Sequence, residues 1–332
     1  MNIIKSVSMT NFRSHERFDF EFHKKTTMIA GENGCGKTSV LEAIYEGCQG
    51  KSWKAVDKEI IRREAPFYRV EIVYNSGEKT VVVYEGGSGK KKFLTADKES
   101  ARLPKKNKYP IILFEPDDLN LVGASPTSKR KYFDIVLSQL SEGYSSALSK
   151  YNKVLKQRNE LLKEEYLRED AMFSWNVMLS KYGTSVSRAR KGLVEAINGK
   201  INEVYRGIAE NEDAVALEYE TEVVDEGQYL AELTKDFARD HVLGHTSYGV
   251  HKDDYKFVFN GSDADGTASR GEIRSIVIAL KFLEAELVEA ELHKKPLVLL
   301  DDVFSELDEK RQKALAQKFK DNQVIITSVE GI

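Results

Sequence analysis

Gly31-Glu32-Asn33-Gly34-Cys35-Gly36-Lys37-Thr38 decides the reading of this chain. The stretch fits the pattern G-x-x-x-x-G-K-[ST], and it stands between an apolar run, Thr26 to Ala30, and a segment with Val40, Leu41 and Ile44 at helical spacing. A strand, a glycine-rich turn and a helix in this order let backbone wrap closely around phosphate groups. Successive N–H groups and the positive helix N-terminus then face the negative charge. In such a loop Lys37 reaches the β- and γ-phosphates and the Thr38 hydroxyl ligates Mg²⁺. ATP and Mg²⁺ are therefore the expected cofactors, bound by residues 31–38 together with Ser39, which follows in the first helical turn.

The rest of the composition bounds what surrounds that loop. At 332 residues with 41% hydrophobic content, the chain can build an α/β domain carrying a large insertion. No apolar run has the length of a bilayer span, and the stretch MNIIKSVSMTNF lacks the basic start and apolar core of a signal peptide. The cytoplasm is the expected compartment, with no membrane partner. Two cysteines, Cys35 and Cys48, supply neither a disulfide framework nor a cysteine zinc site. A net charge of −3 argues against a uniformly basic coat, so any phosphate backbone must meet local clusters. The candidates are Lys90, Lys91 and Lys92; Lys105, Lys106 and Lys108; and Lys129, Arg130 and Lys131.

Periodicity divides the chain into three parts. Residues 1–125 read as strands with one helix: Phe18, Phe20 and Phe22 alternate with charges, and Val70, Ile72 and Tyr74 pair across the turn Asn75-Ser76-Gly77 with Val81, Val83 and Tyr84. An exposed β-lobe is expected there. Residues 126–210 turn helical, with one series through Tyr144, Leu148, Tyr151, Leu155 and Leu162 and a second through Trp175, Leu179, Tyr182, Val186, Ala189, Leu193 and Ala196. The break Arg168-Glu169-Asp170 predicts an antiparallel helical hairpin, and a helix of about 35 residues would span roughly 50 Å. In residues 211–332 strands return with Val215, Leu217 and Tyr219, then Tyr255, Phe257 and Phe259. A helix is expected from Glu272 to about Glu291. The apolar runs Leu297-Val298-Leu299-Leu300 and Val324-Ile325-Ile326 read as central parallel strands. Both chain ends thus supply one sheet, with the helical section inserted.

Three later motifs narrow the class. The run of residues 297–300 ends in Asp301-Asp302, a Walker B pattern in which Asp301 serves Mg²⁺ and Asp302 polarises the attacking water. Ser305-Glu306-Leu307-Asp308 matches the D-loop of ABC-type ATPases, where Ser and Asp lie at a dimer seam; Asp308 is equally placed to cap the following helix. Ser269-Arg270-Gly271-Glu272 is a capping box that also resembles the ABC signature motif, with Glu272 in place of the usual Gln. In ABC dimers such a helix start approaches the γ-phosphate bound by the other subunit, which assigns Ser269 a catalytic part and Gly271 a place beside the nucleotide.

Several further stretches resemble the RecF family of bacterial recombination proteins. They are Met9-Thr10-Asn11-Phe12-Arg13-Ser14-His15, Leu41-Glu42-Ala43-Ile44-Tyr45, Phe114-Glu115-Pro116-Asp117-Asp118-Leu119 and Gly249-Val250-His251-Lys252-Asp253-Asp254. The resemblance implies an ABC-type ATPase head, a mixed sheet around a P-loop core, with an inserted helical arm subdomain. It places Arg13 near the nucleotide. It further implies an ATP-dependent homodimer that binds double-stranded DNA or a single-strand/double-strand junction, and that with RecO and RecR promotes loading of RecA at gaps. Two features depart from ABC practice: Glu115 stands near the position of a customary Gln, and Thr327-Ser328-Val329 replaces a γ-phosphate-sensing His, implying slow hydrolysis. His251 reads as a structural histidine. The nucleotide-binding subunit of an ABC transporter is the competing reading, and a nucleotide-gated scaffold without turnover is a third.

Overall fold

The computed structural model describes residues 4–96, 98–166 and 168–329. From the N-terminus the chain runs β1 (Ile4–Phe12), β2 (His15–Glu21), β3 (Thr26–Ala30), α1 (Lys37–Gln49), α2 (Asp57–Ile60), β4 (Phe67–Tyr74), β5 (Lys79–Glu85), β6 (Lys90–Thr95), β7 (Lys98–Ser100) and β8 (Ile111–Phe114). There follow α3 (Pro126–Leu140), α4 (Glu142–Leu161), α5 (Glu169–Asn198), α6 (Ile201–Ala209), β9 (Val215–Glu220), α7 (Glu226–Lys235) and α8 (Phe237–Leu243). The chain closes with β10 (Asp254–Phe259), β11 (Ser262–Asp263), α9 (Ala264–Thr267), α10 (Arg270–Leu292), β12 (Leu297–Asp301), α11 (Glu309–Lys318) and β13 (Val324–Ser328).

Contacts divide the chain into two compact units, Met1–Asp118 with Glu284–Ile332, and Leu119–Leu283. The first contains a parallel sheet in the order β3-β13-β12-β8, with Leu299 beside Ile325 and Leu300 beside Phe114. Every residue of β12 and β13 is buried, as their unbroken apolar sequence requires of strands covered on both faces. A second, antiparallel sheet runs β2-β1-β4-β5-β6-β7. Helix α1 belongs to the same core as both: Val40, Leu41 and Ile44 cluster with Met9 and Ile72 from one sheet and Leu299 and Ile325 from the other.

That packing corrects the expectation of an exposed β-lobe. Tyr68, Val70, Ile72 and Tyr74 are buried, because α1 needs an apolar surface against it and β4 supplies one. The approach is close enough that a Cβ on Gly47 would lie 2.3 Å from Ile72 Cγ1. Gly47→Ala is accordingly expected to cost about 1–3 kcal/mol through overpacking, measurable by denaturant unfolding. Burial of α1 on nearly all sides also strands two acids, and both have partners. Glu42 takes Arg13 and Ser52; Glu46 takes Lys91 at 2.5 Å, and burial pushes the Glu46 carboxyl up to about 7 against that lysine's opposing charge.

In the second unit the helical hairpin is present but shorter than expected. The first helix is interrupted at Ser141, whose hydroxyl caps α4 by accepting from the Tyr144 N–H, so α4 has 20 residues and α5 has 30. The apolar series also misses the middle of the seam. Asn176, Ser180, Thr184, Ser187 and Arg190 line the buried face of α5, whereas Ala196 is exposed. Two fully enclosed guanidinium groups explain this polar face. Arg158 donates to Asn176, Asp240 and Thr246 at 2.7–2.8 Å, and Arg190 reaches Asp134, Asp253 and the Val250 carbonyl.

The chain does not divide at 125 and 210. Strands β9, β10 and β11 form a sheet within the second unit, and the Asn198 side chain makes both hydrogen bonds to the Leu217 backbone. Phe133 stacks on Tyr255 with ring centroids 4.0 Å apart. These contacts assign residues 211–283 to the helical section instead of to the P-loop unit, and the boundary falls within α10.

Candidate functional site

Strand β3, the loop of residues 31–36 and α1 lie in the order the motif demands. Gly36 sits at φ 96°, where a side chain is strained, and a Cβ there would come within 2.2 Å of His15 Nε2. His15 itself lies 3.3 Å from the Gly36 carbonyl oxygen, so β2 supports the loop from outside. No acidic residue occupies the first turn of α1, which leaves its positive end unopposed. Lys37 is 5% exposed, and its ammonium donates to the Gly31 carbonyl at 2.8 Å and the Glu32 carbonyl at 3.1 Å.

Strand β12 delivers the Asp301 carboxylate to the same place. The Thr38 hydroxyl donates to Asp301 Oδ1 at 2.8 Å, joining residues 263 positions apart in sequence. Thr327, from the adjacent β13, donates to the same oxygen at 2.9 Å and accepts the Asp302 N–H at 2.9 Å. A hydroxyl and a carboxylate are hard oxygen donors of the kind that would suit Mg²⁺. No cluster of three or more His, Cys, Asp or Glu able to hold a metal occurs among the described residues. Asp302 follows at φ 52°, an uncommon conformation for a non-glycine residue, and its Oδ1 is buried without a hydrogen-bond partner. That oxygen is a free acceptor one residue beyond Asp301.

Four other expected residues have partners or places of their own. Arg13 is in the P-loop unit, but its guanidinium is held by both Glu42 oxygens, at 2.8 and 2.7 Å, and by the Glu59 carbonyl at 3.2 Å. Contact with a nucleotide would require giving up that fork. Asp308 caps α11 by accepting the Arg311 N–H, and this bond lowers its carboxyl. Ser269 and Gly271 lie in the second unit, at the start of α10. There the capping box is complete: the Ser269 N–H donates to Glu272 at 2.6 Å and the Glu272 N–H to the Ser269 hydroxyl at 3.3 Å. The departure from Gln therefore has a local structural role.

His251 is structural, with Tyr151 at 2.7 Å on one ring nitrogen and the Thr246 carbonyl at 3.0 Å on the other; burial pushes it down to about 4. Two of the basic clusters are partly used internally. Lys91 lies 2.5 Å from Glu46 and Asp57, Lys92 3.3 Å from Glu99, and Arg130 donates to the Asp253 carbonyl at 2.6 Å.

Sequence reasoning missed Thr327, which was read only as a missing histidine, and Lys54, whose ammonium lies 3.4 Å from Asp301 and 3.7 Å from Glu115. Thr327 carried a signal, as the polar end of an apolar strand beside Walker B. Lys54 carried none. Glu115 is near Asp301 as well, and burial raises its carboxyl while Trp53 and Lys54 oppose that rise.

Comparison with known proteins accords with this geometry. A family model described as an AAA domain matches residues 6–325. The DNA replication and repair protein RecF of Agathobacter rectalis is 36% identical over 98% of this chain and 91% of its own length, and that of Halalkalibacterium halodurans 32% over 99% and 94%. The solved structure of the recombination mediator protein RecF-ATP in the RecFOR pathway superposes with a TM-score of 0.88 at 27% identity, covering 99% of this chain and 92% of the other. An Smc head domain from Pyrococcus furiosus, at 14% identity and a TM-score of 0.51 over 99% of this chain and 90% of its own, shares the fold. With identity above 30% along almost the whole chain, a P-loop whose threonine meets the Walker B aspartate, and the head fold around both, the protein belongs to the RecF family of ATP-binding DNA replication and repair proteins.

Proposed function

We propose that the chain is an ATP-controlled DNA-binding switch of recombinational repair. It binds ATP with Mg²⁺, pairs head to head with a second copy, engages double-stranded DNA or a single-strand/double-strand junction, and with RecO and RecR promotes RecA loading at gaps. The observation that carries this reading is the Thr38–Asp301 hydrogen bond, which closes Walker A onto Walker B inside a chain related to RecF from end to end. Lys37 neutralises the β- and γ-phosphates, Thr38 and Asp301 hold the metal, and the unpaired Asp302 oxygen accepts from the attacking water. When bound, Mg²⁺ supplies charge neutralisation between the phosphates.

Ser269 and Gly271 act on the nucleotide of the partner copy, with Asp308 at the seam, so that each copy supplies half of two equivalent sites. Hydrolysis is slow and DNA-stimulated: Thr327-Ser328-Val329 stands where many ABC ATPases carry a γ-phosphate-sensing histidine, and the Thr327 hydroxyl proton is already committed to Asp301. The protein works in the cytoplasm, at the nucleoid. The related proteins are repair proteins, so the transporter reading is not favoured.

DNA binding measured with and without ATP tests the proposal. Affinity should appear only with ATP and fall steeply with salt, by about a thousandfold between roughly 50 and 200 mM if about six phosphates are neutralised. Equal binding by nucleotide-free protein, or affinity flat in salt, removes ATP gating. ATP hydrolysis indifferent to duplex DNA would restore the transporter reading.

A further inference from the structure

Lys54, although its side chain is 39% exposed, has its ammonium within ion-pair range of two acids. Its ammonium lies 3.4 Å from Asp301 Oδ2 and 3.7 Å from Glu115 Oε1, while the other Asp301 oxygen is taken by Thr38 and Thr327. The segment that carries it is tied to α1. Ser52 accepts the backbone N–H groups of Lys54 and Ala55 at 2.9 and 3.2 Å, and donates to Glu42 Oε1 at 2.5 Å. Trp53 packs its ring on Tyr45 with centroids 5.1 Å apart. Glu42 and Tyr45 both belong to the helix whose second residue is Thr38, so the metal-side threonine and Lys54 share one rigid support.

Asp301 has a side chain only 5% exposed, and a carboxylate so enclosed requires a countercharge. Lys54 is that charge. A divalent cation bound by Thr38 and Asp301 would put a second, larger positive charge on the same carboxylate, and two cations a few ångströms apart repel strongly near a protein interior. The polyphosphate of ATP removes the conflict, because it brings several negative charges with the ion.

We propose that Lys54 is the resident counter-ion of Asp301 in the nucleotide-free head, excluding divalent cations until they arrive with nucleotide and then yielding the carboxylate. The consequence is ordered assembly: metal binds as a complex with ATP, and the bare head does not keep it. This inference rests on the ATP-binding reading above.

The test uses Mn²⁺, a spectroscopic substitute for Mg²⁺, added to the nucleotide-free full chain and followed by the electron paramagnetic resonance signal of the free ion. Wild type and Lys54→Arg should bind Mn²⁺ weakly, whereas Lys54→Met should bind it roughly tenfold more tightly or better. Adding Asp301→Asn to Lys54→Met should abolish the gain, whereas Glu21→Gln, which neutralises an exposed acid at the end of β2 and so makes the same change in net charge, should leave the gain in place; loss of the gain in both would assign it to net charge and overturn the proposal. Wild type alone provides a second reading: micromolar Mn²⁺ affinity without nucleotide overturns the proposal, whether or not Lys54→Met folds. Binding of a fluorescent ATP analogue to wild type is measured in parallel. If the analogue does not bind, the ATP-binding reading itself fails; if it binds and Lys54→Met holds Mn²⁺ no more tightly than wild type, only the role of Lys54 is overturned.

Discussion

Replacing Lys37 with alanine is expected to weaken ATP binding by about a hundredfold or more, with little loss of stability. The ammonium makes charge-assisted hydrogen bonds, each contributing about 1.5–3 kcal/mol, and two of them lost at the phosphates correspond to a factor of roughly 10² to 10⁴. The fold has less at stake. In the nucleotide-free head Lys37 donates to the Gly31 and Glu32 carbonyls of its own loop, and removing it loses those two bonds but also releases a buried ammonium, so the net cost in stability should be about 1–2 kcal/mol. Calorimetric titration with ATP and thermal unfolding, run on the same preparation, separate the two effects. Unchanged affinity would be fatal to the P-loop assignment, and collapse of the fold would mean that Lys37 has a structural role that its visible partners do not explain.

Asp302→Asn should lower turnover by about a hundredfold or more while keeping ATP binding within a few-fold of wild type. A positioned general base contributes roughly 10² to 10⁴ in rate, and the amide preserves shape while losing the ability to take a proton. The starting geometry favours this division of labour. Asp301 Oδ1 is committed to Thr38 and Thr327, whereas Asp302 Oδ1 is enclosed and unpaired. Bound ATP that is not consumed should then accumulate a dimer, visible by light scattering. Turnover equal to wild type, or ATP affinity lost along with it, would contradict the assignment of metal to Asp301 and water to Asp302. Asp301→Asn is the informative contrast, since it should fail already at Mg²⁺-dependent nucleotide binding.

Short-range pattern made much of the P-loop unit legible. Residues 31–38 carry the phosphate loop within eight consecutive positions, and the strands on either side of Walker B announce themselves as apolar runs because both of their faces are covered. The capping box at Ser269 and Glu272 was equally local, and so was the hairpin of β4 with β5. Hydrophobic spacing failed where the seam between α4 and α5 is polar. Arg158 and Arg190 look like surface residues in a sequence, and only their enclosed partners make the choice intelligible.

What the sequence by itself determined is therefore the loop motif with its lysine and threonine, the paired Walker B acids and the α/β class of the head. Tertiary structure alone decided that β9, β10 and β11 belong with the helices, that Arg13 is held by Glu42, and that Lys54 and Thr327 complete the surroundings of Asp301. The reason is separation along the chain. A motif can be read when its groups lie within one turn of backbone, since their geometry follows from local conformation. Lys54 and Asp301 are 247 residues apart, and no local rule connects them; they meet only because α1 and β12 pack in one core.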